Sequence, residues 1–320
     1  MPSPIRVALV GVGSHARRNV LPAFADADGV ELVGVRSRND AARAEAAATY
    51  RVRSYATDEA MLRDRDVDAV YVCTPVGTHG EWIHRALDAG KHVICEKTLV
   101  ASTKQAEAAL AHAEQLDLAV LEAFMFEHHP QWAALQTAIA DGAIGAPRSL
   151  TARFGFPHLD PSNVRYRADL GGGALLDAGA YPLAAAVGLW GMPDRIEGRL
   201  ITEPGYDVDT RGAAWLAWDD GRHAHLEWGF GHAYRNEFGV WGSEGTARLA
   251  RAFSKPPTLA TSVSITPQSG DAYEIAVPPA NHFARMLTAF GEAIRDGRVQ
   301  RWHVAARERA RLQHAVRKKD

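Results

Sequence analysis

Asp177 and Tyr181 stand four positions apart behind the run Gly171-Gly172-Gly173. On one continuous helix that spacing puts a carboxylate and a phenol on the same face, one turn apart. A phenol can hand a proton to a developing alkoxide, and a carboxylate can orient a substrate hydroxyl or a cation. Three glycines just before the pair give the backbone conformations closed to other residues and let a ligand approach closely. The same stretch also reads as an ordinary helix amino terminus, with Asp177 at the positive end of the dipole and Tyr181 packed in the core. Pro182 lacks a backbone donor, so a kink or a helix restart is expected there, with Tyr181 at the bend.

Lys97 is the second candidate. It follows Glu96 at the end of the strand-like run Val93-Ile94-Cys95, and ligands of open parallel sheets bind beyond such carboxyl ends. An ammonium there would polarise a ligand carbonyl; the plainer alternative is a surface lysine paired with Glu96.

These residues need a frame and a reaction partner, and the amino-terminal stretch supplies both. Ile5 to Val10 is a short β-rich run that ends at Gly11-Val12-Gly13-Ser14-His15-Ala16, after which an amphipathic segment begins. Strand, tight turn and helix in that order suit a dinucleotide: Gly11 makes the turn, Gly13 lets a pyrophosphate reach the backbone near Ser14 and His15, and Ala16 permits close helix packing. The second strand, 31–35, is followed by Arg36-Ser37-Arg38 where an acidic residue would bind a ribose 2′-hydroxyl. Two guanidiniums and a hydroxyl suit a 2′-phosphate, so NADP(H) is expected ahead of NAD(H). Further strands at 67–73 and 92–95 end in Thr74-Pro75, with His79 close behind, and in Glu96-Lys97. All five residues fall on the cofactor side.

Alternation of strand and helix continues to Glu122, over about 120 residues, the size of one doubly wound parallel domain. The division expected is 1–122 for an NADP-binding Rossmann domain and 123–320 for a substrate and oligomerisation domain, an α/β fold overall. In the second part tight turns such as Asp219-Asp220-Gly221 join short strands, which predicts a large, mostly antiparallel open sheet. In the strand from His223 to Trp228, Ala224, Leu226 and Trp228 share one face; His223, His225 and Glu227 share the other.

Of the 320 residues, 47 % are hydrophobic and 23 % charged, and the formal net charge is -2, so no broad positive field invites nucleic acid or an anionic membrane. A small ligand and a cytoplasmic setting are expected. The two cysteines, Cys73 and Cys95, each close an apolar run and read as buried hydrophobes rather than a disulfide. The adjacent His128 and His129 lack a third ligand at zinc spacing, so no metal is expected.

Taken together, Gly11-x-Gly13-x-x-Ala16, Thr74-Pro75 through His79, Gly90-Lys91-His92-Val93 into Glu96-Lys97, Glu122-Ala123-Phe124-Met125, and Gly171-Gly172-Gly173 through Asp177 to Tyr181 resemble the glucose-fructose oxidoreductase / inositol dehydrogenase / MocA family over nearly the whole chain. The resemblance implies pyridine-nucleotide redox chemistry on a sugar, cyclitol or related cyclic alcohol or ketone. It also implies a homodimer or homotetramer formed through the carboxy-terminal sheet. The family's catalytic lysine falls on Lys97, and its Asp with a His four residues on falls on Asp177 and Tyr181. Tyrosine in place of histidine points to the branch of dihydrodiol dehydrogenase, xylose dehydrogenase and nucleotide-sugar 3-ketoreductases. Thr98 stands where the family usually has proline, and Glu127 where a basic residue is expected. Substrate contacts are expected at Lys97, Glu122, Phe124, Arg165, Tyr166, Asp177 and Tyr181, with Arg165 and Arg167 suited to a nucleotide diphosphate. The alternatives are a catabolic dehydrogenase of free sugars or dihydrodiols, an NAD-dependent glycosidase, and a non-catalytic nucleotide-binding sensor.

Overall fold

A computed structural model describes residues 3–317. They separate into two compact units, one running to Ala123 and taking in Phe283–Arg307, the other holding Phe124–His282 and the residues from Glu308.

In the first unit, β1 (Ile5–Val10), β2 (Val30–Arg36), β3 (Arg53–Tyr55), β4 (Ala69–Val72), β5 (His92–Glu96) and β6 (Val120–Ala123) form a parallel sheet in the order β3-β2-β1-β4-β5-β6. Helices cover both faces, which is why these strands are apolar runs rather than alternating ones: Val7, Ala8, Leu9, Val70 and Tyr71 are fully buried. The helices are α1 (Leu21–Ala23) within a helical run over residues 14–26, α2 (Asp40–Tyr50), α3 (Asp58–Leu62), α4 (His79–Asp88) and α5 (Thr103–Gln115). Asn39, Thr57 and Ser102 cap α2, α3 and α5 by accepting from main-chain N–H groups of the first turn. Strand order reverses between β1 and β4, so the crevice beyond their carboxyl ends is the place for a ligand.

The second unit contains α6 (Pro130–Ala140), β7 (Pro147–Phe156), α7 (Ala180–Trp190), β8 (Arg195–Ile201), β9 (Arg211–Ala217), β10 (His223–Phe230), β11 (Arg235–Gly242), β12 (Gly245–Leu249), β13 (Thr261–Pro267) and β14 (Tyr273–Val277). Its eight strands run β14-β13-β12-β11-β7-β10-β9-β8, antiparallel except for the central β7–β10 pair. The expected alternation in β10 holds, with Ala224, Leu226 and Trp228 buried and His225 and Glu227 exposed. Beyond them on the polar face, Arg153 bonds Glu227 and Glu237, and Glu237 also bonds Arg235. Gly221 makes the β9–β10 turn at φ +91°, a conformation costly for any other residue.

The expected division needs one correction. The chain does pass to the second unit after Ala123, but α8 (His282–Arg295) from Phe283 and α9 (Gln300–Arg317) as far as Arg307 belong to the first. Phe290, Leu287 and Met286 are fully buried. His303 Nε2 accepts from Val120 N at 3.1 Å, and Arg307 donates to Glu114 at 2.7 and 2.6 Å. Among the described residues, the one helical stretch long and apolar enough to cross a membrane is Ala168–Trp190, and 78 % of its apolar window is buried.

Candidate active site

Gly11 sits at φ +94°, and a Cβ there would lie 2.7 Å from the Cys73 carbonyl, so the turn after β1 admits no side chain. At Gly13 a Cβ would meet no protein atom within 4 Å: this backbone faces open space, as the approach of a pyrophosphate requires. The helical run starts at Ser14, and Ala16 is buried at its base. The residues fit a dinucleotide.

His15 Nε2 donates to Glu96 Oε1 at 3.0 Å, and Asn19 Nδ2 donates to His15 Nδ1 at 3.1 Å, a pairing that fixes the ring tautomer. Tyr71 hydroxyl donates to the same Glu96 oxygen at 2.9 Å. Burial pushes the Glu96 carboxyl up, but His15, Tyr71 and Lys97 outweigh it and hold the group below its ordinary value. Glu96 is therefore an internal anion that locks the turn carrying Lys97 to the nucleotide turn.

The basic turn after β2 divides. Arg36 donates to Asp58 at 2.7 Å and to the Ser37 carbonyl, so its head is committed within the protein. Ser37 is nearly buried, its Oγ accepting from Asn39 N at 3.3 Å, while Arg38 is exposed and forms no ion pair among the described residues. One guanidinium, not the expected two, is left for a 2′-phosphate.

Thr74 and Pro75 are joined by Thr78, whose hydroxyl donates to Pro75 O at 2.8 Å and lies 2.8 Å from Thr74 Oγ1. His79 is 1 % exposed, with Nε2 2.7 Å from Thr74 O and Nδ1 2.9 Å from Thr98 O. Burial pushes its pKa down. Its ring ties the loop after β4 to the turn after β5 instead of facing a nucleotide. Lys97 is half-buried and joined to Thr98 by a cis peptide. Glu122, also buried, accepts from Leu99 N at 2.8 Å and so braces the turn behind Lys97.

In the second unit each glycine of the triplet has a distinct reason. Gly171 closes a short helical turn at φ +75°; a Cβ on Gly172 would lie 2.5 Å from Arg165 O; one on Gly173, at φ +116°, would lie 2.4 Å from Asp209 Oδ1. Gly172 thus packs against the backbone of the preceding loop and Gly173 against Asp209, so protein fills the space beside these two glycines. Asp209, which the sequence does not single out, accepts from Leu175 N at 2.6 Å and so caps the helical run. The run opens as a π turn, Leu175–Gly179, and continues as α7 with Pro182 in its first turn, which absorbs the missing donor without a break.

The folded loop brings Arg165 Nε to 2.7 Å from Asp177 Oδ2. The Asp177 charge raises the Arg165 pKa against its burial, and Tyr181 contributes in the same direction. Tyr181 is 6 % exposed and ringed by Phe154 (5.0 Å between centroids), Phe253 (5.6 Å), Phe124 (5.8 Å) and Phe126 (6.2 Å), with its hydroxyl 3.8 Å from Met125 Sδ. Phe124, 1 % exposed, is a wall of that cage, with the Arg309 guanidinium 4.6 Å above its ring. Arg309 in turn donates to Glu127 at 2.5 Å, so the acid at the position expected to be basic is neutralised from α9. Tyr166 hydroxyl accepts from Leu159 N at 3.0 Å and holds the loop. Of the residues expected to touch substrate, Glu122, Phe124 and Tyr166 are thus placed to position others. His129 Nδ1 accepts from Gln131 N at 3.1 Å, a helix cap, and no metal-ligand cluster exists among the described residues. Both cysteines are free.

Residues 5–124 match the model of the oxidoreductase family with an NAD-binding Rossmann fold, and residues 132–248 match the GFO/IDH/MocA carboxy-terminal domain. A dTDP-3,4-didehydro-2,6-dideoxy-alpha-D-glucose 3-reductase from Actinomadura kijaniata is 38 % identical over 320 residues, covering 98 % of this chain and 95 % of the relative. The same-named enzyme from Saccharopolyspora spinosa is 36 % identical over 298 residues, covering 93 % and 90 %. A crystal structure of a 3-ketoreductase from A. kijaniata with NADP and TDP-benzene superimposes at a TM-score of 0.93, with 36 % identity and 98 % and 97 % coverage. That enzyme has also been crystallised with a tyrosine replaced by phenylalanine and with a lysine replaced by alanine. On both its domains and its whole length, the chain belongs to the GFO/IDH/MocA oxidoreductase family.

Proposed function

We propose that the protein is an NADPH-dependent 3-ketoreductase of a nucleotide-linked deoxysugar. The observation that carries this is the retention of Lys97 and Tyr181 at the same sequence separation as the lysine and tyrosine replaced in the A. kijaniata enzyme. The exposed Arg38 beside Ser37 supports the phosphorylated cofactor. Bound NADPH supplies a hydride to the keto carbon.

The protein handles the charge that results. As the carbonyl carbon accepts hydride, its oxygen becomes an alkoxide, which the Lys97 ammonium stabilises and the Tyr181 phenol protonates. The phenol that gives up its proton is left as phenolate, and the nearby Arg165 cation, fixed by Asp177, favours that state. Aromatic walls on Tyr181 exclude water and hold the ring to one orientation. Asp177 acts by fixing Arg165, a positioning role. Assembly as a homodimer or homotetramer through the polar face of the second unit's sheet is part of the proposal, supported by its ladder of arginines and glutamates and by the largely exposed Trp241.

The test is NADPH oxidation at 340 nm with a dTDP-linked 3-keto sugar, beside free sugars and dihydrodiols in both directions. Tyr181→Phe should lower kcat by about 10²–10⁴-fold with NADPH binding intact, and Lys97→Ala should lower it comparably. Near-normal turnover in both variants, or turnover confined to free sugars, would overturn the reading.

A further inference from the structure

Phe156 and Phe230 end the parallel strands β7 and β10 side by side, with ring centroids 5.3 Å apart. Tyr166, from the loop after β7, is buried against Phe230 at 5.5 Å and 82°, and closes the core at this end of the sheet. Two more rings lie outside it: His158 from the same loop, and Tyr206 from the loop between β8 and β9. Their planes are parallel within 6° and their centroids 5.6 Å apart, and Tyr206 rests 5.0 Å from Tyr166. At a van der Waals separation of about 3.5 Å the two parallel rings are displaced sideways by about 4 Å, so neither covers the other. The His158 side chain is 40 % exposed and Tyr206 is half-buried, which leaves ring surface open to water.

Both rings are fixed. Tyr166 hydroxyl, which accepts from Leu159 N, donates to His158 Nδ1 at 3.2 Å, and the Tyr206 hydroxyl lies 3.4 Å from the same nitrogen. The ring proton therefore sits on Nε2, 3.5 Å from Glu203 Oε2, and Glu203 is held in turn by Arg211 at 2.5 Å. Gly231, at φ +75°, makes room for the imidazole, since a Cβ there would lie 2.4 Å from Nε2. Tyr166 and Phe230 already seal the core beneath, so His158 and Tyr206 add a rigid aromatic surface beyond what folding requires.

We propose that Tyr206 and His158 form the platform on which the nucleobase of the substrate stacks, an inference that rests on the substrate being a nucleotide-linked sugar. Tyr166 follows Arg165 directly in the chain, and Arg165 Nε bonds Asp177 on the helical run that carries Tyr181. From the proton donor outward, the second unit thus offers a phenol, a guanidinium and an aromatic stack. A nucleoside diphosphate sugar presents its keto sugar, its phosphates and its base in the same order. Stacking uses the π-face that every base has, so the platform supplies affinity for the nucleoside rather than choice among bases. Tyr166 and Glu203 act by holding the His158 ring, a positioning role.

The experiment is calorimetric titration of the NADP⁺-saturated full-length protein with dTDP, and with inorganic pyrophosphate as the probe that lacks a base. Tyr206→Ala and His158→Ala should each weaken dTDP binding by about 10–100-fold and leave pyrophosphate binding unchanged. Tyr206→Phe, which keeps the ring face, should bind dTDP as the wild type does. Equal losses for dTDP and pyrophosphate, an equal loss in Tyr206→Phe, or unchanged dTDP affinity in the Tyr206→Ala, His158→Ala double variant would each overturn the platform. With a wild type that turns over a dTDP-linked 3-keto sugar, those results overturn the platform alone; a wild type that binds no dTDP and turns over only free sugars overturns the proposed function and the platform together.

Discussion

Arg36 holds its guanidinium against Asp58 and the Ser37 carbonyl, while two positions on Arg38 keeps its head in water. Within one basic turn, a structural ion pair and a solvent-exposed cation stand side by side, and the cation is the one the proposed function assigns to the 2′-phosphate. Arg38→Ala should therefore raise KM for NADPH by about 10–100-fold, the loss of a charge-assisted contact, and leave KM for NADH unchanged. Arg36→Ala should behave in the opposite way, lowering stability by about 1–3 kcal/mol in denaturant titration with little effect on either KM. A uniform loss for both cofactors in Arg38→Ala would dissociate that residue from the 2′-phosphate. The basic pattern was legible in the sequence because it is a matter of residue type; the division of labour was not, because Asp58 is 22 positions from Arg36.

The loop and helix from Arg165 to Trp190 work as one element. Gly172 lets the backbone fold onto the carbonyls of Arg165 and Arg167, Gly173 makes room for Asp209, and Asp209 caps the π turn from which Asp177 and Tyr181 project. The pair diverges: Asp177 turns to Arg165 and Tyr181 enters the aromatic cage, although both lie within one helical run. A Cβ at Gly172 would sit 2.5 and 2.8 Å from two main-chain oxygens, neither of which can rotate away. Gly172→Ala should cost about 1–3 kcal/mol, and, by separating Arg165 from Asp177, should lower kcat more than it raises KM for NADPH. Unaltered kcat with reduced Tm would restrict the loop to a structural role. The sequence marked this stretch through its glycines and the Asp-to-Tyr spacing. It gave no sign of Asp209, an acid in an ordinary loop, or of Phe154 and Phe253, which reach Tyr181 from distant strand and loop positions.

Two units share one chain that crosses between them more than once, since α8 from Phe283 and the first part of α9, as far as Arg307, belong to the first unit although they follow the second unit's sheet in the chain. That sheet turns an apolar face to α6 and α7 and carries charge on the other, where Trp241 is 67 % exposed. Assembly through this face predicts that Trp241→Glu shifts light-scattering mass from a dimer or tetramer to a monomer; a wild type that is already monomeric would remove the proposal. The sequence by itself determined the parallel sheet apart from its edge strand β3, the nucleotide turn, the hairpins of the second sheet and the family, because apolar periodicity and the backbone needs of glycine are properties of neighbouring residues, whereas the three residues of β3 are too few to carry a pattern. Only the tertiary structure decided which polar partner each side chain took: Asp177 with Arg165, Arg36 with Asp58, His79 with the Thr74 and Thr98 carbonyls, and His303 with Val120. A buried or half-buried polar group bonds whatever the packing brings within about 3 Å, and packing joins residues that no local pattern connects.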